Sequence, residues 1–177
     1  MTMMKLARLM EAAEFLTPTQ QISLVSKEVD KFSDRSILFS ILSLEYPSNN
    51  IGISKGKKWI AKALSVFEEE IISSYNALSD LGDVAYAEHM SKSSDRPTSL
   101  KTVLSLLSMD CGGISSNEYA LFESHFNDMS ALERKWFIKY WIRTPRNGIN
   151  IGVVQKMLAK CYDKKVSEVK HHTNFNS

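Results

Sequence analysis

Arg143-Thr-Pro-Arg-Asn-Gly-Ile-Asn-Ile-Gly152 joins two apolar helical patterns, and its reading decides the fold. Before it runs Ser130-Ala-Leu-Glu-Arg-Lys-Trp-Phe-Ile-Lys-Tyr-Trp-Ile-Arg143, and after it Val153-Val-Gln-Lys-Met-Leu-Ala-Lys-Cys-Tyr162. Pro145 is expected to end the first helix, because proline disfavours helical geometry at the residue before it and has no N–H to donate. Asn147-Gly148 predicts a tight turn where positive φ costs little. Gly152 opens the next helix. A helix opening leaves unpaired N–H groups and a partial positive charge, which suits phosphate. Arg143 and Arg146 bracket this turn, so the stretch is fitted to grip a nucleic-acid backbone.

Working outward, a second copy lies earlier in the chain. Asp34-Arg-Ser-Ile-Leu-Phe-Ser-Ile-Leu-Ser-Leu-Glu-Tyr-Pro47 leads through Ser48-Asn-Asn to Ile51-Gly52, then to Ile53-Ser-Lys-Gly-Lys-Lys-Trp-Ile-Ala-Lys-Ala-Leu64. Both copies read acid-Arg, apolar helix, Pro-x-Asn, Ile-Gly, then a helix with Ala-Lys; the later one has Glu133-Arg134, Pro145, Asn147, Ile151-Gly152 and Ala159-Lys160. Two copies are too few for a solenoid. They predict a pseudo-symmetric molecule whose two loops touch one extended ligand.

The rest of the chain is helical in period. Met3, Leu6, Leu9, Met10, Ala13 and Leu16 line one face of a first helix, and Thr17-Pro18 starts a second. Asp34 is expected to cap the third helix. Phe67 to Leu78 reads as a helix with Ile71, Ile72, Tyr75 and Leu78 inward; Gly82 allows a corner and Asp83 a cap. Residues 91–99 read as a polar linker. Ser115-Ser-Asn-Glu118 resembles a capping box, with Tyr119, Leu121, Phe122 and Phe126 beyond it for burial, and Ser130-x-x-Glu133 is a second box. No segment reads as a strand. The expectation is an all-α, pseudo-two-fold, two-lobed domain of about ten to twelve helices over residues 1–170. Its lobes would be about 1–92 and 99–165, with 171–177 a tail that reads like a cut through a longer chain.

Composition sets the bounds. At 177 residues and 44% hydrophobic content the chain can bury a core. With 22 Lys+Arg against 20 Asp+Glu, only a local basic patch can attract a polyanion. Bases gather at Lys55, Lys57, Lys58 and Lys62, and at Arg134, Lys135, Lys139, Arg143 and Arg146. Cys111 and Cys161 stand far apart with no C-x-x-C partner, which indicates neither zinc nor a disulfide framework. No segment is long enough to span a membrane, and the expected location is cytoplasmic, or a nuclear or viral replication compartment.

No catalytic constellation assembles. His89, His125, His171 and His172 fit no metal or triad spacing. Cys111 beside Gly112-Gly113 reads as structural. Trp136, Phe137, Tyr140 and Trp141 have the spacing of core packing, although exposed aromatics could stack on bases. Glu68–Glu70 read as a solvated first turn. Lys55, Lys57 and Lys58 sit unfavourably at a helix opening, which a bound phosphate would offset. The competing reading is a helical adaptor that binds a partner helix in an apolar groove and never meets nucleic acid.

Three segments together resemble the N-terminal DNA-binding domain of ATP-dependent DNA ligases of the archaeal, eukaryotic and viral type. They are Ile51-Gly52-Ile-Ser with Trp59-Ile-Ala-Lys-Ala-Leu64, then Leu81-Gly82-Asp83-Val84-Ala85, then Gly148-Ile-Asn-Ile-Gly152 after a helix ending in Arg143. Where that family has an arginine in the last motif, this chain has Asn150. The resemblance implies an all-helical domain that clasps nicked double-stranded DNA through minor groove and phosphates, followed by nucleotidyltransferase and OB-fold domains. The K-x-D-G lysine that carries AMP is absent from this sequence, so no cofactor is expected here, and ATP and Mg2+ would serve the parent enzyme. The expected DNA contacts of this monomer are Gly52, Ser54, Lys55, Lys57, Lys58, Arg143, Arg146, Asn147, Gly148, Asn150 and Gly152, with no membrane role.

Overall fold

The computed structural model describes residues 1–88 and 96–170. Among them are eleven helices: α1 (Met3–Ala13), α2 (Pro18–Val29), α3 (Arg35–Leu42), α4 (Gly52–Leu64), α5 (Glu68–Leu78), α6 (Leu81–Ala87), α7 (Leu100–Leu107), α8 (Asn117–Asp128), α9 (Ala131–Trp141), α10 (Ile151–Cys161) and α11 (Val166–Lys170). Among the described residues the one strand-like feature is an isolated bridge between Thr2 and Ser99. The fold is all-α, as expected.

Local chemistry sets the starts. Thr17 and Gln20 form a capping box at α2, with Pro18 in its first turn. Ser130 and Glu133 form another at α9. Three expected caps move. Ser116, not Ser115, caps α8 by accepting from the Tyr119 N–H, and no box forms. Asp80, not Asp83, caps α6, because its carboxylate reaches the Asp83 N–H at 3.0 Å. Asp34 caps nothing; it accepts from the Met1 ammonium at 2.8 Å instead.

The core is organised by α9. Trp136, Phe137, Ile138, Tyr140 and Trp141 are all buried, which settles the aromatic stripe as interior packing. With eight of its eleven residues buried, charged ones included, α9 must be covered on nearly every side; α1, α6 and α7 pack along it, and Trp59 and Phe122 lie against Trp141 at its end. The fit against α6 depends on Gly82, where a Cβ would lie 2.6 Å from the Lys135 carbonyl oxygen and 2.5 Å from Lys139 Cγ. The corner expected at Gly82 is therefore a close helix approach. Two cations are buried in α9. Lys139 pairs with Asp80 at 2.9 Å, both nearly inaccessible. Arg134 donates Nε–H to the Phe126 carbonyl at 2.8 Å, and burial pushes its pKa down to about 10, against the pull of Glu133.

Much of the packing joins helices far apart in the chain. The heaviest packing joins α6 to α9, α2 to α10 and α1 to α9, while α8 rests on α4 and α7 on α3. Each pair crosses the expected division between 1–92 and 99–165, and the buried residues form one cluster. Burial of distant segments against each other overrides proximity in sequence. Ile72, Leu78 and Leu121, expected inward, are 38%, 44% and 48% exposed. Of the expected linker, residues 91–95 lie outside the described residues, as does the tail 171–177. Thr98 is buried and accepts from the Met3 N–H at 2.8 Å, so the linker's end is stitched to the chain start.

Candidate nucleic-acid interface

The two copies end their first helices identically. In α3 the Leu44 N–H donates to Ile41 and the Glu45 N–H to Ser40; in α9 the Arg143 N–H donates to Tyr140 and the Thr144 N–H to Lys139. Leu44 and Arg143 are both left-handed, at φ 58° and 60°. The chain reverses there, ahead of each proline, so a left-handed stop ends the helix and Pro145 only follows it.

Beyond the prolines the copies stay in register, with a buried asparagine at the centre of each corner. Asn49 Oδ1 accepts from the Ile51 N–H at 3.2 Å, and Asn147 Oδ1 from the Ile149 N–H at 3.1 Å. Asn50 and Gly148, next in each copy, both have positive φ, and Ile51 and Ile149 are both buried. The structural partner of Ile51-Gly52 is therefore Ile149-Asn150. The pairing with Ile151-Gly152 expected from sequence is two residues out of step. Burial decides this: Ile51 is 3% exposed and Ile151 is 44%. Before the prolines the first copy has one residue more, Tyr46.

The corners touch, and α9 is their common root. Asn49 Nδ2 donates to the carbonyls of Leu107 at 3.0 Å and Trp141 at 2.8 Å. The Tyr46 hydroxyl donates to the Tyr140 carbonyl, and Asn147 Nδ2 donates to the Tyr140 hydroxyl at 3.1 Å. Arg143 spans the gap with bonds to the carbonyls of Leu44 at 3.2 Å, Tyr46, and Pro47 at 2.6 Å, its guanidinium 4.3 Å over the Tyr46 ring. Burial holds the Tyr46 phenol well above its ordinary pKa, against the pull of Arg143, so it stays a donor.

The expected contact residues now divide. Gly52, at φ 56°, is exposed at the opening of α4, where no side chain caps the helix, and Ser54 is exposed beside it. Lys58 is exposed. Lys57 lies 4.2 Å over the Tyr75 ring, and Lys55 donates to the Cys111 carbonyl at 2.7 Å. Arg146 is exposed, donates to the Ser79 carbonyl at 2.7 Å and stands 3.9 Å from Asp80. Gly148 is exposed at φ 75°. Asn150 caps α10 through the Val153 N–H at 3.0 Å, ahead of a half-exposed Gly152. Asn147 is buried, and Arg143 spends its donors on the neighbouring corner.

The later basic cluster of the sequence is mostly internal. Arg134 and Lys139 are buried, and Lys135 pairs with Glu11 at 3.0 Å and Glu14 at 3.8 Å. Exposed bases lie instead on α10, at Lys156 and Lys160, in the places that Lys58 and Lys62 take on α4. Sequence reading passed over these two and over Asn49, although the repeated Pro-x-Asn and Ala-Lys were in plain view. Among the described residues no three His, Cys, Asp or Glu side chains gather as metal ligands, and no helix is long and apolar enough to cross a membrane.

An all-helical domain with two matched, amide-bearing corners joined at one helix end defines the class of molecule. The chain belongs to the DNA ligase N terminus family, the N-terminal domain of ATP-dependent DNA ligases, whose model matches residues 4–162. No curated protein sequence matches it.

Proposed function

We propose that this chain holds nicked double-stranded DNA, without sequence preference, for the catalytic part of an ATP-dependent ligase. The observation that carries the reading is the matched pair of corners, stapled together by Arg143 and Asn49, in a member of that family. Each corner ends in a helix opening whose first N–H groups have no partner within the helix. The opening at Gly52 has no side-chain cap and has Lys57 and Lys58 behind it. Phosphate oxygens supply both the acceptors and the negative charge that such an opening favours. Lys58, Lys156 and Arg146 add sequence-independent attraction along the backbone.

In this reading no chemical step is assigned to this chain. In this reading a nucleotidyltransferase domain with a K-x-D-G lysine uses ATP and Mg2+, an OB-fold domain completes the enzyme, and one copy of this chain positions the substrate.

The test is a mobility-shift titration with nicked and intact duplexes at several salt concentrations. Tighter binding to the nicked duplex supports the reading, with affinity falling by about 0.9 log unit per phosphate neutralised for each log unit of salt. Lys58→Glu should weaken both duplexes alike and lower the salt slope by about one. Equal affinity for both duplexes removes nick recognition. No retention at low salt removes DNA binding and favours the adaptor.

A further inference from the structure

The corrected register sets two apolar side chains in equivalent places outside the core. Ile53 follows the buried Ile51 by two residues, and Ile151 follows the buried Ile149 by two. Both lie in the first turn of a helix, α4 or α10. Ile151 is 44% exposed, and Ile53 is partly exposed without joining the hydrophobic cluster. A single exposed isoleucine needs no explanation. The same one at the same step of both corners does, because a serine would open either helix equally well and leave no apolar surface bare. The surroundings narrow the occupant. Each isoleucine stands among helix-opening N–H groups and ahead of an exposed lysine, Lys58 or Lys156. It must be a chain that alternates negative charge with apolar surface at short intervals. A nucleic-acid backbone does so, with phosphate followed by the C–H faces of a sugar.

We propose that Ile53 and Ile151 press on the sugars beside the phosphates met at the two corners, and that they select deoxyribose over ribose. The inference rests on the DNA-binding reading above. In deoxyribose the C2′ carbon carries only hydrogen, so covering it with an isoleucine removes apolar surface from water on both sides. In ribose the same carbon bears a hydroxyl, a donor and an acceptor. An isoleucine laid over it strips its water and returns no hydrogen bond, which is unfavourable. The lysines and amides cannot discriminate in this way, since phosphates are common to both polymers.

The test measures affinity of the whole chain by fluorescence anisotropy for DNA, hybrid and RNA duplexes of one sequence, at two salt concentrations. The native protein should prefer the DNA duplex. Ile53→Ser and Ile151→Ser should each lower DNA affinity by about fivefold, the worth of a partly buried aliphatic side chain. Neither should lower RNA affinity, because the apolar cover over the ribose hydroxyl is relieved, and neither should change the salt slope, because no charge is altered. The two together should bring DNA and RNA affinities close to equal, while Ile151→Val, which keeps the apolar face, should retain the preference. Circular dichroism checks that each variant is folded. Equal losses on DNA and RNA, or no loss on either, overturn the inference while leaving DNA binding intact. A native protein that binds neither duplex overturns the underlying reading, and the inference with it.

Discussion

Replacing Asn49 with alanine removes three hydrogen bonds from one buried point. The Ile51 N–H and the carbonyls of Leu107 and Trp141 all lose their partner, at present distances of 3.2, 3.0 and 2.8 Å. Asn49 is 4% exposed, so water does not readily take its place. At about 1 kcal/mol for each bond, and more for a polar group left bare, the expected loss is about 3–4 kcal/mol. Against an ordinary domain stability of about 5–15 kcal/mol, the variant should fold but melt early. Asn147→Ala should cost less, about 2 kcal/mol, since the Tyr140 hydroxyl that accepts from it keeps its own donation to the Met10 sulfur at 3.2 Å, and that sulfur, 3.6 Å from Asn147 Nδ2, is only a weak acceptor for it. Urea unfolding followed by the fluorescence of Trp59, Trp136 and Trp141, all buried, measures both variants. The midpoint should fall with the slope unchanged. A loss at Asn49 below about 1 kcal/mol, or a larger loss at Asn147, would refute the view that Asn49 is the main tie between corner and core.

Gly82→Ala should destabilise by about 2–3 kcal/mol, because the new methyl meets a backbone oxygen that cannot turn aside. Gly56→Ala, whose nearest neighbour is the Leu81 side chain at 3.0 Å, should cost clearly less in the same urea unfolding. Burial raises the Glu11 carboxyl pKa, but hydrogen bonds from Lys135 and Trp136 and the charges of Lys135 and Lys139 outweigh it and hold the group below the ordinary glutamate value. Its stabilisation is therefore complete above the unfolded pKa and lost as pH falls through the lower folded one. Glu11→Gln should flatten that part of a stability–pH curve, and an unchanged acid limb would contradict the assignment. Burial, offset in part by Trp141 and Lys55, pushes the Cys111 thiol up to about 11. Iodoacetamide at neutral pH should modify the more exposed Cys161 first and Cys111 only on unfolding, as read by mass spectrometry; equal rates would contradict the burial.

Much of the fold was legible because it is written locally. Helical period, the helix start at Thr17, the box at Ser130 and the aromatic spacing of α9 each depend on residues within a turn or two of one another. What was misread depends on distant chain. Asp34 reads as a cap until the Met1 ammonium arrives beside it, and Gly82 reads as a corner until α9 lies against it. Packing between distant helices was hidden for the same reason, since α10 packs on α2 across most of the sequence. At the candidate site the motif was visible and its phase was not. Two isoleucines alternate in each corner, and only burial tells which one faces inward. Arg143 shows the same limit, because nothing in its neighbours in sequence announces three carbonyls from residues 44–47.

Tyr46, the residue by which the first corner exceeds the second, makes the two halves unlike where they meet. Its ring lies under Arg143 and its hydroxyl reaches α9, while the second copy has nothing to set in that place. A tool with two equal jaws works either way up. One whose jaws differ has a left and a right, and in the reading proposed above a duplex set between the corners would be held facing one way.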